Sequence, residues 1–282
     1  MRPLAAHYNQ QNCHPYTNGK AMSSKTDQRA KEILRLLLRQ PKTSIEELTA
    51  LFDTSAASIR RDLVRLEERG LVHRIHGGAM LAGQSVYEPF RFDASFQERE
   101  DRFAQEKQRI AVAAAELVQD NETVGFTAGT TTTQVARSLR HRNGLHIITN
   151  AVNIGMELSS SNGLDTTLTG GSMRWLGAFS LVGPTAIESL NVVVMDRVFI
   201  GGTGIDAERG VTTIEPDEAA VFRAMARRAR QVVVVADSSK VGMVSRAVIC
   251  PPEDIDILIT DDGVSDEAVQ AFMQSGIKVM SV

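Results

Sequence analysis

The sequence predicts an α/β protein in two parts, a winged helix-turn-helix over residues 24–81 joined to an α/β body with a mostly parallel sheet. Two observations carry this. Within residues 24–81, three short amphipathic helical patterns follow one another and end in a hairpin pattern. From residue 106 on, strand-length apolar runs such as Val232-Val233-Val234-Val235 alternate with helical periods, as in a sheet covered by helices on both faces. The length of 282 residues suffices for two cores, and 43% hydrophobic against 23% charged residues is the balance of a globular chain.

Residues 1–23 are polar, without helical or strand period, and are expected to be a disordered extension, with Met22 a candidate for the true start. Ala30, Ile33, Leu34, Leu37 and Leu38 then trace the stripe of a first helix that ends before Pro41. Ser44, with Glu47 three residues on, forms the capping box of a second helix, whose apolar face is Ile45, Leu48, Leu51 and Phe52. Ser55 opens a third, with Ile59, Leu63 and Leu66 inward and Gly70 as its stop. Leu71, Val72 and Ile75, then Ala79 and Met80 across Gly77-Gly78, form a two-stranded ribbon. A helical interaction domain of the same size fits the bare pattern too.

Residues 82–105 are expected to be a polar linker, and residues 106–282 the α/β body. Helices are expected at 106–118, through Val135, Ala136 and Leu139, and at 151–160, 217–229 and 265–275. Strands are expected at 123–126, 146–149, 166–168, 197–200, 232–236, 257–260 and 278–282, with a loop from Thr127 to Thr133.

The net charge of −3 conceals an asymmetry. Residues 24–81 hold eleven Lys/Arg against eight Asp/Glu, and residues 82–282 eighteen against twenty-six, so a slightly basic module precedes an acidic body. No apolar run reaches the roughly 18–20 residues needed to span a bilayer, and the N-terminus lacks the apolar stretch of a signal peptide, so the expected location is the cytoplasm, with no membrane partner. Cys13 and Cys250 belong to no cluster with metal-ligand spacing; neither metal nor cofactor is expected.

The third helix carries Ser55, Ser58, Arg60 and Arg61 on its first two turns. Hydroxyls and a helix N-terminus suit phosphate, and an arginine fork suits the O6 and N7 of guanine, so these residues are candidates for contacts with double-stranded DNA. The alternative for Arg61 is a surface pair with Asp62 or Glu67. Arg74, His76 and Gly77 place a cation and pliant backbone on the wing, suited to backbone phosphate. In the second part, Gly129, Thr130, Thr131 and Thr132 lie between a strand and a helix, where free amides meet a positive helix end and can hold an anion. Ordinary turn and cap chemistry uses the same residues. Thr169-Gly170-Gly171 and Gly201-Gly202-Thr203-Gly204 are further glycine-rich turns after strands, where open α/β sheets bind ligands. Asp206, Glu218 and Asp237 are candidate acceptors for sugar hydroxyls, and Lys240 for a phosphate or for Asp237; each carboxylate has a cap or a surface charge as its alternative.

Ser58-Ile59-Arg60-Arg61-Asp62-Leu63, Leu66-Glu67-Glu68-Arg69-Gly70-Leu71 and Arg74-Ile75-His76-Gly77-Gly78-Ala79 resemble the N-terminal signature of the DeoR family of bacterial transcriptional repressors. The likeness runs on through Gly129-Thr130-Thr131-Thr132, Thr149-Asn150, Thr169-Gly170-Gly171 with Arg174, Gly204-Ile205-Asp206, Glu218-Ala219 and Asp237-Ser238-Ser239-Lys240, from about residue 25 to the C-terminus. It implies a sensor domain similar in fold to ribose-5-phosphate isomerase, a phosphorylated sugar as effector, release of operator DNA on binding it, and a homo-oligomer, dimer or tetramer. It also brings Asn150 and Arg174 into the candidate ligand set. The family usually carries Lys where Phe222 stands and often Asp where Thr127 stands, so two charged ligands are missing; Arg174, Arg223, Lys240 or backbone amides would have to meet the effector's charge. The segment from Gly170 to Arg174 with Phe179, Gly183-Pro184 and Glu188 is similar to the amino-sugar-responsive branch. The competing function is a sugar-phosphate isomerase with an appended helical domain, using Asp206, Glu218 or Asp237 as acid and base; the expectation is a regulator without catalytic residues.

Overall fold

A computed structural model describes residues 24–40, 42–68, 71–75, 77–81, 94–174 and 179–282. The expectations for residues 1–23, Gly70, His76 and the first half of the linker lie outside these.

Helix α1 (Ser24–Arg39), α2 (Ile45–Phe52) and α3 (Ala56–Glu68) pack Ile33, Leu37, Leu48, Ile59, Leu63 and Leu66 into one small core. This is the stripe that the sequence marks, except that Leu51 of α2, expected on its buried face, is 60% exposed. Buried Asp62 of α3 accepts a hydrogen bond from Arg29 Nε of α1 at 2.6 Å and so ties the two helices together. The capping box is present: Glu47 N donates to Ser44 Oγ at 3.0 Å, and Ser44 N to Glu47 Oε2 at 2.9 Å. Glu47, fed by that amide and by the Thr43 hydroxyl, has its pKa below the usual carboxylate range. Ser44→Ala is expected to cost about 1 kcal/mol of stability, read from chemical denaturation.

The wing has one strand more than expected. β2 (Val72–Ile75) and β3 (Gly78–Leu81) form the hairpin, and β1 (Lys42–Ser44), between α1 and α2, pairs antiparallel with β3. Three residues are too short a run to show a period of two. A Cβ on Gly78 would run into the carbonyl of Thr43, which explains glycine at that crossing.

Helix α4 (Ala94–Asp101) lies within the stretch expected to be linker, and α5 (Ala104–Glu116) follows after a two-residue turn. The α/β body then runs β4 (Thr123–Phe126), α6 (Thr130–Ser138), β5 (Leu145–Thr149), α7 (Val152–Ser159), β6 (Leu164–Leu168), β7 (Ser172–Arg174), β8 (Ser180–Val182), α8 (Pro184–Ser189) and β9 (Arg197–Ile200). It continues with β10 (Gly204–Asp206), β11 (Gly210–Thr213), α9 (Pro216–Ala226), β12 (Val232–Val235), β13 (Ala247–Cys250), β14 (Ile257–Thr260), α10 (Asp266–Gln274) and β15 (Lys278–Ser281). All seven expected strands form one sheet, in the order β15-β14-β12-β9-β4-β5-β6, with every pairing parallel. Its central strands are fully buried because helices cover both faces. Sequence reading missed the antiparallel pieces, β7-β8 and the small sheet β10-β11-β13, whose strands of three or four residues carry no clear period.

The strand order places the site. From β4 the chain adds β5 and β6 on one side, then returns to set β9, β12, β14 and β15 on the other. The connections therefore reverse between β4 and β9, and the crevice for a ligand opens at the carboxyl ends of those two strands.

Candidate functional site

At that point lies a cavity of about 240 Å³, walled by Ala128–Thr131 after β4, Gly201–Thr203 after β9 and Val235–Asp237 after β12. Helix α6 begins at Thr130, within the stretch expected to be a loop up to Thr133 and so four residues early, with Gly129 as its N-cap. The first helical hydrogen bond runs from Thr133 N to Gly129 O, so the amides of Thr130, Thr131 and Thr132 precede it at the positive end of the helix. The hydroxyls of Thr132 and Thr133 turn back to Gly129 O, at 2.9 and 2.6 Å. The Gly-Thr loop thus offers the cavity Gly129, Thr130 and Thr131, and Thr132 serves the cap.

Glu218 and Asp237 both line the cavity and both are buried. Ser180 Oγ donates to Glu218 Oε1 at 2.6 Å, and Ser239 Oγ to Asp237 Oδ1, which orients each carboxylate. Lys240 lies on the same wall, as does Phe222. Thr127, in place of the family's Asp, is fully buried; its hydroxyl accepts from Gly201 N at 3.1 Å and clasps the loops after β4 and β9.

Other candidates are placed elsewhere. Asn150 is fully buried and holds the β4 loop, its Oδ1 accepting from Ala128 N at 3.0 Å and its Nδ2 donating to Leu181 O at 3.1 Å. Gly170 and Gly171 follow edge strand β6, outside the cavity wall. Arg174 pairs with Glu215 at 2.8 Å, and Arg223 Nε donates to Ile249 O at 3.1 Å, so both guanidiniums are engaged away from the cavity. Gly204 begins β10, where a Cβ would strike the carbonyl of Met243. Asp206 Oδ1 accepts from Glu208 N and Arg209 N, both at 2.9 Å, an Asx turn that closes the β10-β11 hairpin. Asp206→Ala is therefore expected to leave the effector concentration for half-maximal response unchanged, measured beside the parent chain. Cys250 is buried, which pushes its thiol up to about 12; it is no thiolate at neutral pH.

Among the cavity residues that the sequence reading did not single out are Arg99, Arg102, Phe103 and Lys107, from α4, α5 and the turn between them, and Thr213 of β11. Lys107 sits on the buried stripe of α5 with Ile110, Ala111 and Ala114. A lysine in phase with an apolar stripe was the available signal. Its ammonium donates to the carbonyls of Arg99 and Arg102, the latter at 2.5 Å, at the C-terminal end of α4. Burial lowers its pKa first, and Lys240 and Arg99 lower it further, against the opposing pull of Asp237 and Glu100.

On the first part, Ser55, Arg60 and Arg61 are exposed along the N-terminal half of α3. Ser58 N and Ser58 Oγ both lie in hydrogen-bond reach of Ser55 Oγ, at 3.3 and 3.0 Å, so Ser55 caps the helix. Arg61 folds back along its own helix, Nε donating to Ala57 O at 3.3 Å. Of the two partners suggested for Arg61, Asp62 accepts from Arg29, and Glu67 accepts from the wing, where Arg74 Nε donates to Glu67 Oε2 at 2.5 Å. That pair fixes the wing to α3, with Gly77 exposed at the tip of the β2-β3 turn.

Comparison with known proteins agrees with both halves. Residues 29–85 match the DeoR-like helix-turn-helix domain and residues 102–262 the DeoR C terminal sensor domain. A proposed aga operon transcriptional repressor of Escherichia coli O157:H7 is 31% identical over 94% of this chain and 97% of its own. The HTH-type transcriptional repressor GlcR of Bacillus subtilis is 33% identical over 83% of this chain and 88% of its own. Among solved structures, ribose 5 phosphate isomerase A of Neisseria gonorrhoeae overlaps loosely, with 18% identity and a TM-score of 0.34 over 50% of this chain and 54% of that one.

Proposed function

The chain belongs to the DeoR family of transcriptional regulators, and from that premise we propose that it represses a carbohydrate-metabolism operon and leaves its operator when a phosphorylated sugar fills the cavity at the ends of β4, β9 and β12. The observation that carries this reading is the cavity's position and lining. It lies at the reversal point of the parallel sheet, with a helix N-terminus for an anion and two oriented, buried carboxylates for hydroxyls. The helix with exposed arginines, α3, is the candidate for the major groove, and the wing with Arg74 the candidate for flanking phosphate. One module reads a short half-site, so a dimer or tetramer on symmetric or repeated sites is part of the proposal.

The test is binding of the purified chain to its own upstream DNA at fixed salt, titrated with pentose and hexose phosphates. Specific binding lost with one compound supports the reading; binding indifferent to every compound, with the protein still oligomeric, removes the effector assignment. Gly129→Val separates the two halves. A valine side chain at the N-cap enters the cavity wall beside Thr132 Oγ1, so operator affinity is expected to stay within about twofold while the response to the effector is lost. A normal response in that variant places the ligand elsewhere.

A further inference from the structure

The cavity is lined by four cationic side chains, Arg99, Arg102, Lys107 and Lys240, and by two carboxylates, Glu218 and Asp237. Cations thus outnumber carboxylates in its lining, which suits a phosphate monoester, carrying about −1.5 to −2 at neutral pH, and Arg99, whose Nε donates to Ser95 O at 3.2 Å, is one of these cations. Three of the four cations come from α4, α5 and their junction, and none from Arg174 or Arg223, which are engaged by Glu215 and by the backbone of β13. Phe222 supplies no charge at all. Lys107 can donate three hydrogen bonds and gives two of them to the carbonyls that end α4, so one N–H direction remains for the cavity.

Resting on the effector reading above, we propose that the effector's phosphate binds at the α4-α5 junction, on Lys107, Arg99 and Arg102, and clamps α4 onto the sensor sheet. Phosphate relieves the mutual repulsion of these cations and joins a residue of α5 to residues at the end of α4 through charge-assisted hydrogen bonds. The junction is strained. Phe103, which lines the cavity between the two helices, has φ of +56°, a left-handed conformation that is strained for an aromatic residue. The consequence reaches the DNA-binding part by two routes. Helix α4 is the first described element after wing strand β3, and α1 packs against α5, with Lys31 Nζ 3.4 Å from Asp120 Oδ2 just beyond the end of α5. Clamping α4 therefore biases how the winged helix sits on the sensor.

The experiment uses the full chain and inorganic phosphate as probe, with calorimetry for binding and amide hydrogen exchange over residues 94–107. In the parent, phosphate is expected to bind and to slow exchange in α4 and the following turn. Lys107→Gln is expected to weaken phosphate at least tenfold and to abolish that protection. Arg102→Gln keeps the buried lysine and its carbonyl partners; it is expected to weaken phosphate three- to tenfold and decides the matter if Lys107→Gln does not fold. Parent-like affinity and protection in the folded variants overturn this inference and leave the effector reading intact, with phosphate at the α6 N-terminus alone. If the parent binds neither phosphate nor any sugar phosphate, both readings fall.

Discussion

Arg137→Ala is expected to lower the unfolding free energy by about 3–5 kcal/mol, the cost of removing one member of a buried charge network. Arg137 of α6 is nearly buried, and it donates to Glu157 of α7 through Nε at 2.6 Å and Nη2 at 2.8 Å and to Glu100 of α4 through Nη1. Burial disfavours its charge, but Glu157 and then Glu100 outweigh that and raise its pKa. Without it, Glu157 keeps Arg140 at 2.7 Å, while Glu100, 3% exposed, keeps among the described residues one hydrogen bond, from Gln134 at 3.4 Å, and the pull of the Lys107 charge, and is left as a poorly compensated buried charge. Urea denaturation measures the loss. A double change, Arg137→Met with Glu100→Gln, is expected to be milder than Arg137→Ala because no carboxylate of α4 is then stranded. Equal losses in the two would mean that Glu100 finds water in the single variant. The same network fastens α4 to α6, so the folded fraction of Arg137→Ala is also expected to answer the effector weakly.

The other large effect falls on DNA. Arg60→Ala and Arg61→Ala are each expected to cost about 1–3 kcal/mol of operator binding, roughly five- to 150-fold in affinity, if the residue reads a base, with relaxed specificity at that position. A residue that contacts only backbone phosphate is expected instead to weaken all sequences evenly and to flatten the salt dependence. Both side chains are exposed on α3, and neither belongs to the small core of Ile33, Leu37, Leu48, Ile59, Leu63 and Leu66, so stability should change little. Competition assays at two salt concentrations separate the cases. Unchanged binding for both variants under both conditions would remove α3 as the recognition helix.

Glu218 and Asp237 are where an isomerase reading would seek its acid and base. Each is oriented by a neighbouring serine hydroxyl within the sensor cavity, an arrangement equally suited to holding sugar hydroxyls. Membership of a repressor family decides between the two uses, and the catalytic alternative is not favoured.

Periodicity and capping determined much of this protein. Apolar stripes placed the three helices of the winged module, the Ser44-Glu47 box placed a helix start to the residue, and near-continuous apolar runs such as Val232–Val235 placed central strands of the parallel sheet. Those signals are local, since each element's own residues state which face is buried. Dense motifs likewise identified the family, and with it the DNA-binding and sensing halves. Strand order was beyond the sequence, because the reversal between β4 and β9 depends on which edge each new strand joins. So was the division of the glycine-rich turns into two that wall the cavity, after β4 and β9, and one after β6 that lies outside it. Asp206 and Lys107 are the clearest pair. Asp206 carries the motif of a ligand and is held in an Asx turn; Lys107 has the sequence setting of an ordinary helical lysine and is carried by its buried stripe to the wall of the cavity. Only tertiary structure decides such cases, because the charge a site holds depends on what converges on it from distant parts of the chain, and burial far more than residue type determines what each charge must do.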